Sequence, residues 1–133
     1  MSDYVTLAVG DERYALPVQS VLEVAEAAPV APVPRGGRAL IGVRNLRGEV
    51  LPVFDLASVL GRGAGGRGRR HVVVEQGSRR AGLAVDGVED VGPLVGTFEE
   101  SESALLEGAV LGEGRLVGVL DASRLVALLE VRS

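Results

Sequence analysis

The sequence predicts a mainly β protein made of two similar small barrels that pack together, with short helices capping the strands. The chain has 133 residues and is 47% hydrophobic, yet it contains only two Tyr, two Phe and no Trp. Its core must therefore be built from Val, Leu and Ala, and Val-rich runs favour strands. Short apolar runs alternate with turn residues about every 8–12 residues, a spacing typical of small barrels and sandwiches. An internal repeat supplies the third observation, because it predicts two halves of the same fold.

The repeat is visible when the chain is aligned with itself. Three pairs of segments match at an offset of 66 or 67 residues: 48–60 with 114–126, 16–24 with 83–91, and 4–9 with 71–76. We therefore expect one domain over residues 1–133, with subdomain one at about 10–66 plus terminal packing and subdomain two at about 67–133. Each half is near the lower size limit for a self-sufficient core, so the halves should bury apolar surface against each other.

Turn residues divide the first half into short strands. A Gly-Asp turn signal after the first apolar run predicts a hairpin. Three prolines in residues 28–37 lack backbone donors, so this segment is expected to be an extended connection or an edge. Asp55 is placed to cap a short helix through Leu60. The predicted strands of this half are residues 4–9, 13–17, 20–24, 40–46 and 49–54.

The second half is expected to repeat this order. Asp121 takes the place of Asp55 and should cap a final helix that extends to Glu130. The predicted strands are residues 72–75, 80–85, 88–94, 109–111 and 115–120.

The residue inventory argues against an enzyme. There is no Cys to serve as a thiolate ligand or nucleophile, and no Lys for a Schiff base or a phosphate-binding loop. His71 is the single histidine and is expected to be an ordinary strand-end residue, since a hydrolase would need a second base beside it. Asp86, Glu89 and Asp90 match no calcium-loop spacing and are interpreted as solvated turn residues. We therefore expect no catalytic residue, no metal and no cofactor.

Charge is unevenly distributed along a chain of net charge −4. Residues 81–114 carry eight acids and no Arg. Four Arg residues cluster earlier: Arg35, Arg38, Arg44 and Arg47. We interpret this pattern as ordinary solvated surface charge. The alternative is that the protein has two faces of opposite charge that bind different partners.

Residues 61–70 are rich in Gly and Arg and are expected to form a flexible surface linker. Together with the Arg cluster, this segment leaves open a nucleic-acid-binding barrel as the alternative function. Such modules usually have a basic net charge and an aromatic stacking platform, both of which this chain lacks. The first residues show no signal-peptide pattern, and no apolar run approaches the roughly 20 residues of a spanning helix, so a cytoplasmic location is expected.

One segment sets polar residues between two apolar strands. Arg44, Asn45 and Arg47 stand at the turn between residues 40–46 and 49–54. The repeat offers an internal comparison, because Arg47 aligns with Glu113 at the corresponding turn. The fold thus tolerates an acid at this position, which favours a binding role for Arg47 toward a carboxylate or carbonyl of a partner.

These residues resemble a known family. Gly42-Val-Arg-Asn-Leu-Arg-Gly48, followed by Val50-Leu-Pro-Val-Phe-Asp-Leu56, resembles the signature of the CheW-like adaptors of bacterial chemotaxis. Residues 83–91 and 108–128 are similar to two further family segments. The resemblance implies two five-stranded, SH3-like or OB-like barrels around a shared apolar core and a protein without catalytic activity.

The resemblance also implies partners. Adaptors of this family join the cytoplasmic helical-hairpin tip of a chemoreceptor to the regulatory domain of a CheA-type histidine kinase. This chain would then be cytoplasmic, associated with membrane receptor arrays through its partners and without inserting into the membrane. Chemotaxis, gliding, pilus and surface-sensing pathways all stay open.

The resemblance further implies a receptor-binding surface. Arg47 would support receptor coupling, and Glu23 matches an acidic position near the same surface. Ala25 departs from the family pattern, in which a basic residue often follows the Glu23 segment. The remaining residues assigned to this surface are Val21, Val24, Leu46, Asn45 and Arg44.

Overall fold

The structure is a computed structural model that describes residues 2–34, 37, 39–63 and 68–132, with side chains described through Leu129. Within these residues the chain forms eleven strands, two α-helices and a 3₁₀ turn at Val18–Ser20. The first-half elements are β1 (Tyr4–Val9), β2 (Glu12–Pro17), β3 (Val21–Glu26), β4 (Leu40–Leu46), β5 (Glu49–Asp55) and α1 (Leu56–Val59). The second-half elements are β6 (Arg70–Gln76), β7 (Arg79–Val85), β8 (Gly87–Gly92), β9 (Thr97–Glu99), β10 (Leu106–Gly112), β11 (Arg115–Leu120) and α2 (Ala122–Arg132).

The strands form two sheets, and the predicted mainly β class is confirmed. One sheet has the order β3-β6-β7-β5-β4, and the other has the order β8-β1-β2-β11-β10-β9. We call the strands of the five-stranded sheet barrel one and those of the six-stranded sheet barrel two. Strand β9 was not predicted, whereas the other ten strands correspond to predicted ones.

The two barrels exchange a hairpin. In the repeat alignment β1 and β2 correspond to β6 and β7, and β3, β4 and β5 correspond to β8, β10 and β11. With this correspondence the two sheets have the same strand order, but each takes its hairpin from the other half. The registers agree as well, because Val53 pairs with Gly82 in barrel one and Val119 pairs with Ala15 in barrel two.

This exchange changes how the halves relate to the barrels. Barrel one is contiguous and spans residues 21–85, whereas barrel two is assembled from residues 4–17 and 87–120. The subdomain boundary expected at about residue 66 therefore falls inside barrel one. A sequence repeat marks the duplicated unit, but it does not specify which copy of a hairpin each sheet will bind. That the whole chain is a single domain stays a prediction.

The core is one continuous apolar cluster shared by both barrels. Leu7 and Leu16 of barrel two and Phe54 and Leu83 of barrel one are all essentially inaccessible to solvent. Helix α2 begins directly after barrel two but packs on β6 and β7 of barrel one, where Leu125 is fully buried. The helix therefore ties the second half back to the first.

The two predicted helix caps differ. The Asp121 carboxylate accepts a hydrogen bond from the Arg124 backbone N–H at 3.0 Å, which confirms it as the N-cap of α2. Asp55 stands at the N-cap of α1, yet its carboxylate makes no cap hydrogen bond to the backbone. It accepts instead from the Ser58 hydroxyl at 2.7 Å.

Extended chain pairs with β4 of barrel one and with β10 of barrel two, at one end of each sheet. Ala31 exchanges two backbone hydrogen bonds with Val43 on β4, at 2.7 and 2.9 Å, as expected of an edge segment among residues 28–37. Strand β9 pairs with β10 at the corresponding edge of barrel two. Of the expected linker at residues 61–70, positions 64–67 lie outside the described residues, so its flexibility stays a prediction. No helix in the described part of the chain is long and apolar enough to cross a membrane.

Candidate functional site

The β4–β5 turn is a two-residue hairpin loop with both residues in the left-handed region. Arg47 has φ 54° and Gly48 has φ 83°, which matches a turn of type I′. Glu113 and Gly114 repeat this geometry with φ 52° and 75°. The Asn45 side-chain oxygen accepts a hydrogen bond from the Gly48 backbone N–H at 3.0 Å. Asn45 therefore stabilises the turn, and the turn presents the residue at position 47.

Arg47 forms a bidentate ion pair with Glu23 on β3. Its Nε lies 3.0 Å from Oε1 of Glu23, and its Nη2 lies 3.1 Å from Oε2. The Arg47 side chain is 77% exposed and that of Glu23 is 25% exposed. The hydrogen bond from Arg47 lowers the pKa of the Glu23 carboxyl below its ordinary value, so Glu23 is a carboxylate at neutral pH. The pair fixes the guanidinium in place while leaving most of it in solvent.

Arg44 points to partners inside the fold. Its Nη1 donates to the Glu26 carbonyl oxygen at 3.0 Å and to Nδ1 of His71 at 2.9 Å. Because a guanidinium has only donors, the Nδ1 of His71 must be the acceptor, so the ring is neutral and protonated at Nε2. Burial, assisted by the charge of Arg44, lowers the pKa of His71. Arg44 is therefore a structural residue, unlike the exposed Arg47.

Together these contacts close barrel one. Strands β3 and β4 lie at opposite ends of the five-stranded sheet, yet the pairs Arg47 with Glu23 and Arg44 with the Glu26 carbonyl join them. The sheet must therefore curl until its two ends meet. Side chains from β4 and its turn, rather than backbone pairing, make this closure.

A small hollow of about 80 Å³ lies beside the ion pair. Glu23, Leu46 and Arg47 line it, as does Leu22, which was not predicted and is 47% exposed. Val24 is exposed on the opposite face of β3 from Glu23, because side chains alternate along a strand.

Val21 is only half-buried but packs against the core cluster. Of the seven residues predicted for this surface, the structure thus brings Glu23, Leu46 and Arg47 together. Arg44, Asn45 and Val21 have contacts within the fold, and Val24 faces elsewhere.

Sequence reasoning also missed a second cation at the rim of the hollow. Arg80 of β7 lies 2.6 Å from a carboxylate oxygen of Glu49 and 2.6 Å from one of Glu75. Arg80 belongs to the exchanged hairpin, so no local sequence signal could place it beside the β4–β5 turn. The rim therefore carries two guanidinium groups whose charges are balanced by carboxylates.

Barrel two has a different charge pattern at the equivalent place, because an acid replaces Arg47. Asp90 aligns with Glu23, and Glu113 aligns with Arg47, so both positions are acidic. An ion pair of this kind cannot form between two carboxylates. The candidate site is therefore specific to barrel one, although the turn that supports it is present in both barrels.

Two small barrels that share one core define a double-barrel β fold. The chain matches the family model described as a CheW-like domain over residues 3–130, and it belongs to this family. It is 30% identical over 129 residues to the chemotaxis protein CheW of Rhizobium meliloti, covering 90% of this chain and 83% of that protein. It is 45% identical over 83 residues to protein FrzA of Myxococcus xanthus, covering 60% of this chain and 51% of that protein.

A solved structure is similar to most of this chain. The scaffolding protein TtCheW from Thermoanaerobacter tengcongensis superposes with a TM-score of 0.81 at 27% identity, covering 90% of this chain and 84% of that one. This agreement confirms the fold and the family that the sequence motifs predicted.

The nucleic-acid alternative finds no support. Arg44 donates within the fold and Arg47 is paired with Glu23, so neither is a free cation. Arg35 and Arg38, the other members of the predicted cluster, lie outside the described residues.

Proposed function

We propose that this chain is a non-catalytic scaffold that couples the cytoplasmic tip of a chemoreceptor to the regulatory domain of a CheA-type histidine kinase. Membership of the CheW-like family supports this role. Relatives named as chemotaxis proteins and a structural neighbour named as a scaffolding protein support it further. The protein would act on the cytoplasmic side of the membrane, associated with receptor arrays through its partners.

The observation that carries the receptor site is the exposed Arg47, held by Glu23 on a rigid turn. Two hydrogen bonds to Glu23 use one side of the guanidinium, and the group is otherwise open to a partner. A planar guanidinium held in this way can donate to a carbonyl or carboxylate of a receptor helix with little loss of side-chain freedom. The apolar side chains of Leu22 and Leu46 lie beside it and would contact the same helix.

The test is the variant Arg47→Glu. The turn should keep its shape, because Glu113 already adopts the same backbone conformation at the equivalent position. Like charges would then face each other at positions 23 and 47, and the donor would be lost. We expect binding of a receptor-tip helical hairpin, measured by calorimetry, to weaken at least about tenfold.

The matched control is Glu113→Arg, which reverses the charge at the equivalent turn of barrel two. It should leave receptor-tip affinity within about twofold of wild type, since surface changes away from a contact have small effects. Circular dichroism and thermal unfolding should show that both variants are folded. Equal receptor affinity for Arg47→Glu and wild type would contradict the proposed receptor site.

Kinase coupling requires its own measurement. Binding of the kinase regulatory domain to wild type, followed by formation of a three-component complex with the receptor hairpin, tests the scaffold role directly. Binding of either partner that excludes the other would contradict it.

A further inference from the structure

The two barrels differ in how one face of each is covered. On barrel one, α2 packs on β6 and β7, and its Val126 and Leu129 also face Pro52 of β5 and Ala81 of β7. Only a hollow of about 60 Å³ remains between them. The repeat places Gly118 at the position of Pro52 and Tyr14 at that of Ala81. The same face of barrel two can therefore be compared residue by residue.

No described helix covers that face of barrel two. Helix α1 is the counterpart of α2, but it ends at Val59 after four residues. The residues that align with Val126 and Leu129 are Leu60 and Gly63. Gly61 has φ 73° and Gly63 has φ 81°, so the chain turns away where α2 continues as a helix. A groove of about 730 Å³ remains among the described residues at this place.

The floor of this groove is apolar. Leu111 and Leu116 are direct cross-strand partners on β10 and β11, and they are 45% and 57% exposed. Ala109 and Gly118 continue the same face of the two strands. Gly118 leaves space that the Tyr14 ring occupies, since a Cβ there would lie 2.9 Å from a ring carbon. Two exposed leucines on a smooth floor form a surface that prefers an apolar partner.

The two walls of the groove differ in charge. On one wall Glu12 accepts from the Tyr14 hydroxyl at 2.8 Å and pairs with Arg62 at 3.1 Å, so its charge is balanced. The other wall carries three acids that form no ion pair within the described residues: Glu99, Glu100 and Glu102. The groove is thus apolar below and negatively charged along one side.

We propose that this groove binds an amphipathic helix of a partner protein, with leucine-like residues against Leu111 and Leu116 and basic residues facing Glu99, Glu100 and Glu102. On barrel one a helix covers the adjoining part of this face, at Pro52 and Ala81, while Val50, the equivalent of Leu116, stays exposed. The unpaired acids favour a cationic flank on the incoming helix. The inference goes beyond the proposed function, because the groove is on barrel two and the Arg47 turn is on barrel one.

The test uses the full chain and a synthetic helical peptide of about 14 residues, with Leu on one face and Lys on the other. A second peptide replaces every Lys by Glu and keeps the Leu face. We expect the Lys peptide to bind, measured by fluorescence anisotropy, and the Glu peptide to bind at least about tenfold more weakly. Replacing both Glu100 and Glu102 by Gln should weaken binding of the Lys peptide.

The decisive variant is Leu116→Glu, with Val50→Glu as its matched control. Val50 is the aligned residue on barrel one, and at 68% exposed it is as accessible as Leu116. We expect Leu116→Glu to lower affinity for the Lys peptide at least about tenfold and Val50→Glu to change it less than about twofold. Both sites are exposed, so both variants should keep the wild-type thermal unfolding.

Three results would overturn the inference. The peptide could fail to bind wild type, or neither Leu116→Glu nor Val50→Glu could weaken its binding, which would show binding by net charge alone because each variant adds a negative charge. Alternatively, sedimentation could reveal a wild-type dimer that Leu116→Glu dissociates, which would make this face a contact between copies of the chain. The variant Arg47→Glu should bind the Lys peptide with wild-type affinity. An experiment that contradicts the groove can therefore be distinguished from one that contradicts the receptor site.

Discussion

The hairpin exchange predicts that a fragment cut at the sequence repeat will not fold, whereas a fragment of nearly equal length cut at the barrel boundary will. Residues 1–66 contain three strands of barrel one and two of barrel two. Residues 21–85 contain all five strands of barrel one. The two fragments differ by one residue in length, so size alone cannot explain a difference between them.

The magnitude follows from the side chains that each cut removes. Without β6 and β7, barrel one loses five buried Val and Leu residues: Val72, Val73, Val74, Leu83 and Val85. Burying a Val or Leu side chain contributes about 1.5–3 kcal/mol, so this loss is about 8–15 kcal/mol. That is as large as the whole stability of a typical domain, about 5–15 kcal/mol. The fragment 21–85 keeps these residues; it loses the shared-core contacts with barrel two and α2, whose Leu125 and Leu129 contribute about 3–6 kcal/mol by the same measure.

Far-UV circular dichroism and urea unfolding of both fragments provide the assay. We expect 1–66 to be unfolded and 21–85 to show strand signal and a cooperative transition, weaker than that of the whole chain. Adding residues 67–133 to 1–66 should restore the strand signal, because the exchanged hairpins can then pair between fragments. A cooperative transition in 1–66 alone, equal to that of 21–85, would refute the reasoning.

Two further predictions concern single residues. In the folded protein, burial and the charge of Arg44 hold the pKa of His71 below its ordinary value of 6.5, so the unfolded chain binds a proton first as pH falls. The contribution of His71 to stability should therefore be complete above pH 6.5 and be lost as the pH falls below it. The variant His71→Asn keeps a hydrogen-bond acceptor near the Nδ1 position. Its free energy of unfolding, measured with urea, should fall less than that of wild type between about pH 7.5 and 5.5. An unchanged pH slope in this variant would contradict the buried neutral ring. Asp121→Ala removes the N-cap of α2 and should lower the free energy of unfolding by about 0.5–2 kcal/mol. The control Ser123→Ala changes an exposed residue of the same helix and should alter the free energy of unfolding by less than about 0.5 kcal/mol. Equal losses of stability in urea unfolding of the two variants would show that the cap is not the cause.

The sequence predicted the local elements because they depend on local signals. The turn at Gly48 and the cap at Asp121 follow from residues within one helical turn or hairpin. The exchange of hairpins could not be predicted in this way. The registers of Val53 with Gly82 and of Val119 with Ala15 are equivalent, so the strand patterns do not distinguish the two possible pairings. Strand β9 could not be predicted because its three residues are all exposed and show no alternation of buried and exposed positions.

The candidate site was predicted from two sources, because the repeat drew attention to Arg47 and the family resemblance indicated Glu23 and Leu46. Arg47 stood out because Glu113 occupies the same turn, and its exposure is consistent with that interpretation. The sequence motif also places Arg44 at this surface, but Arg44 donates to His71, a contact that depends on β6 pairing with β3. The role of Arg44 could be assigned only from the tertiary structure, because no local sequence pattern connects Arg44 with His71.

Duplication explains how a chain of this size can offer two different surfaces. Each barrel inherited the same turn and the same open face, and the copies then diverged. The turn carries an ion-paired Arg47 on barrel one and Glu113 on barrel two, while the open face is partly covered by α2 on barrel one and forms the apolar groove on barrel two. Each feature is thus present in only one copy, and no residue lines both surfaces. If both proposed surfaces bind, two partners could be held at once without competing for side chains, as the proposed adaptor role requires.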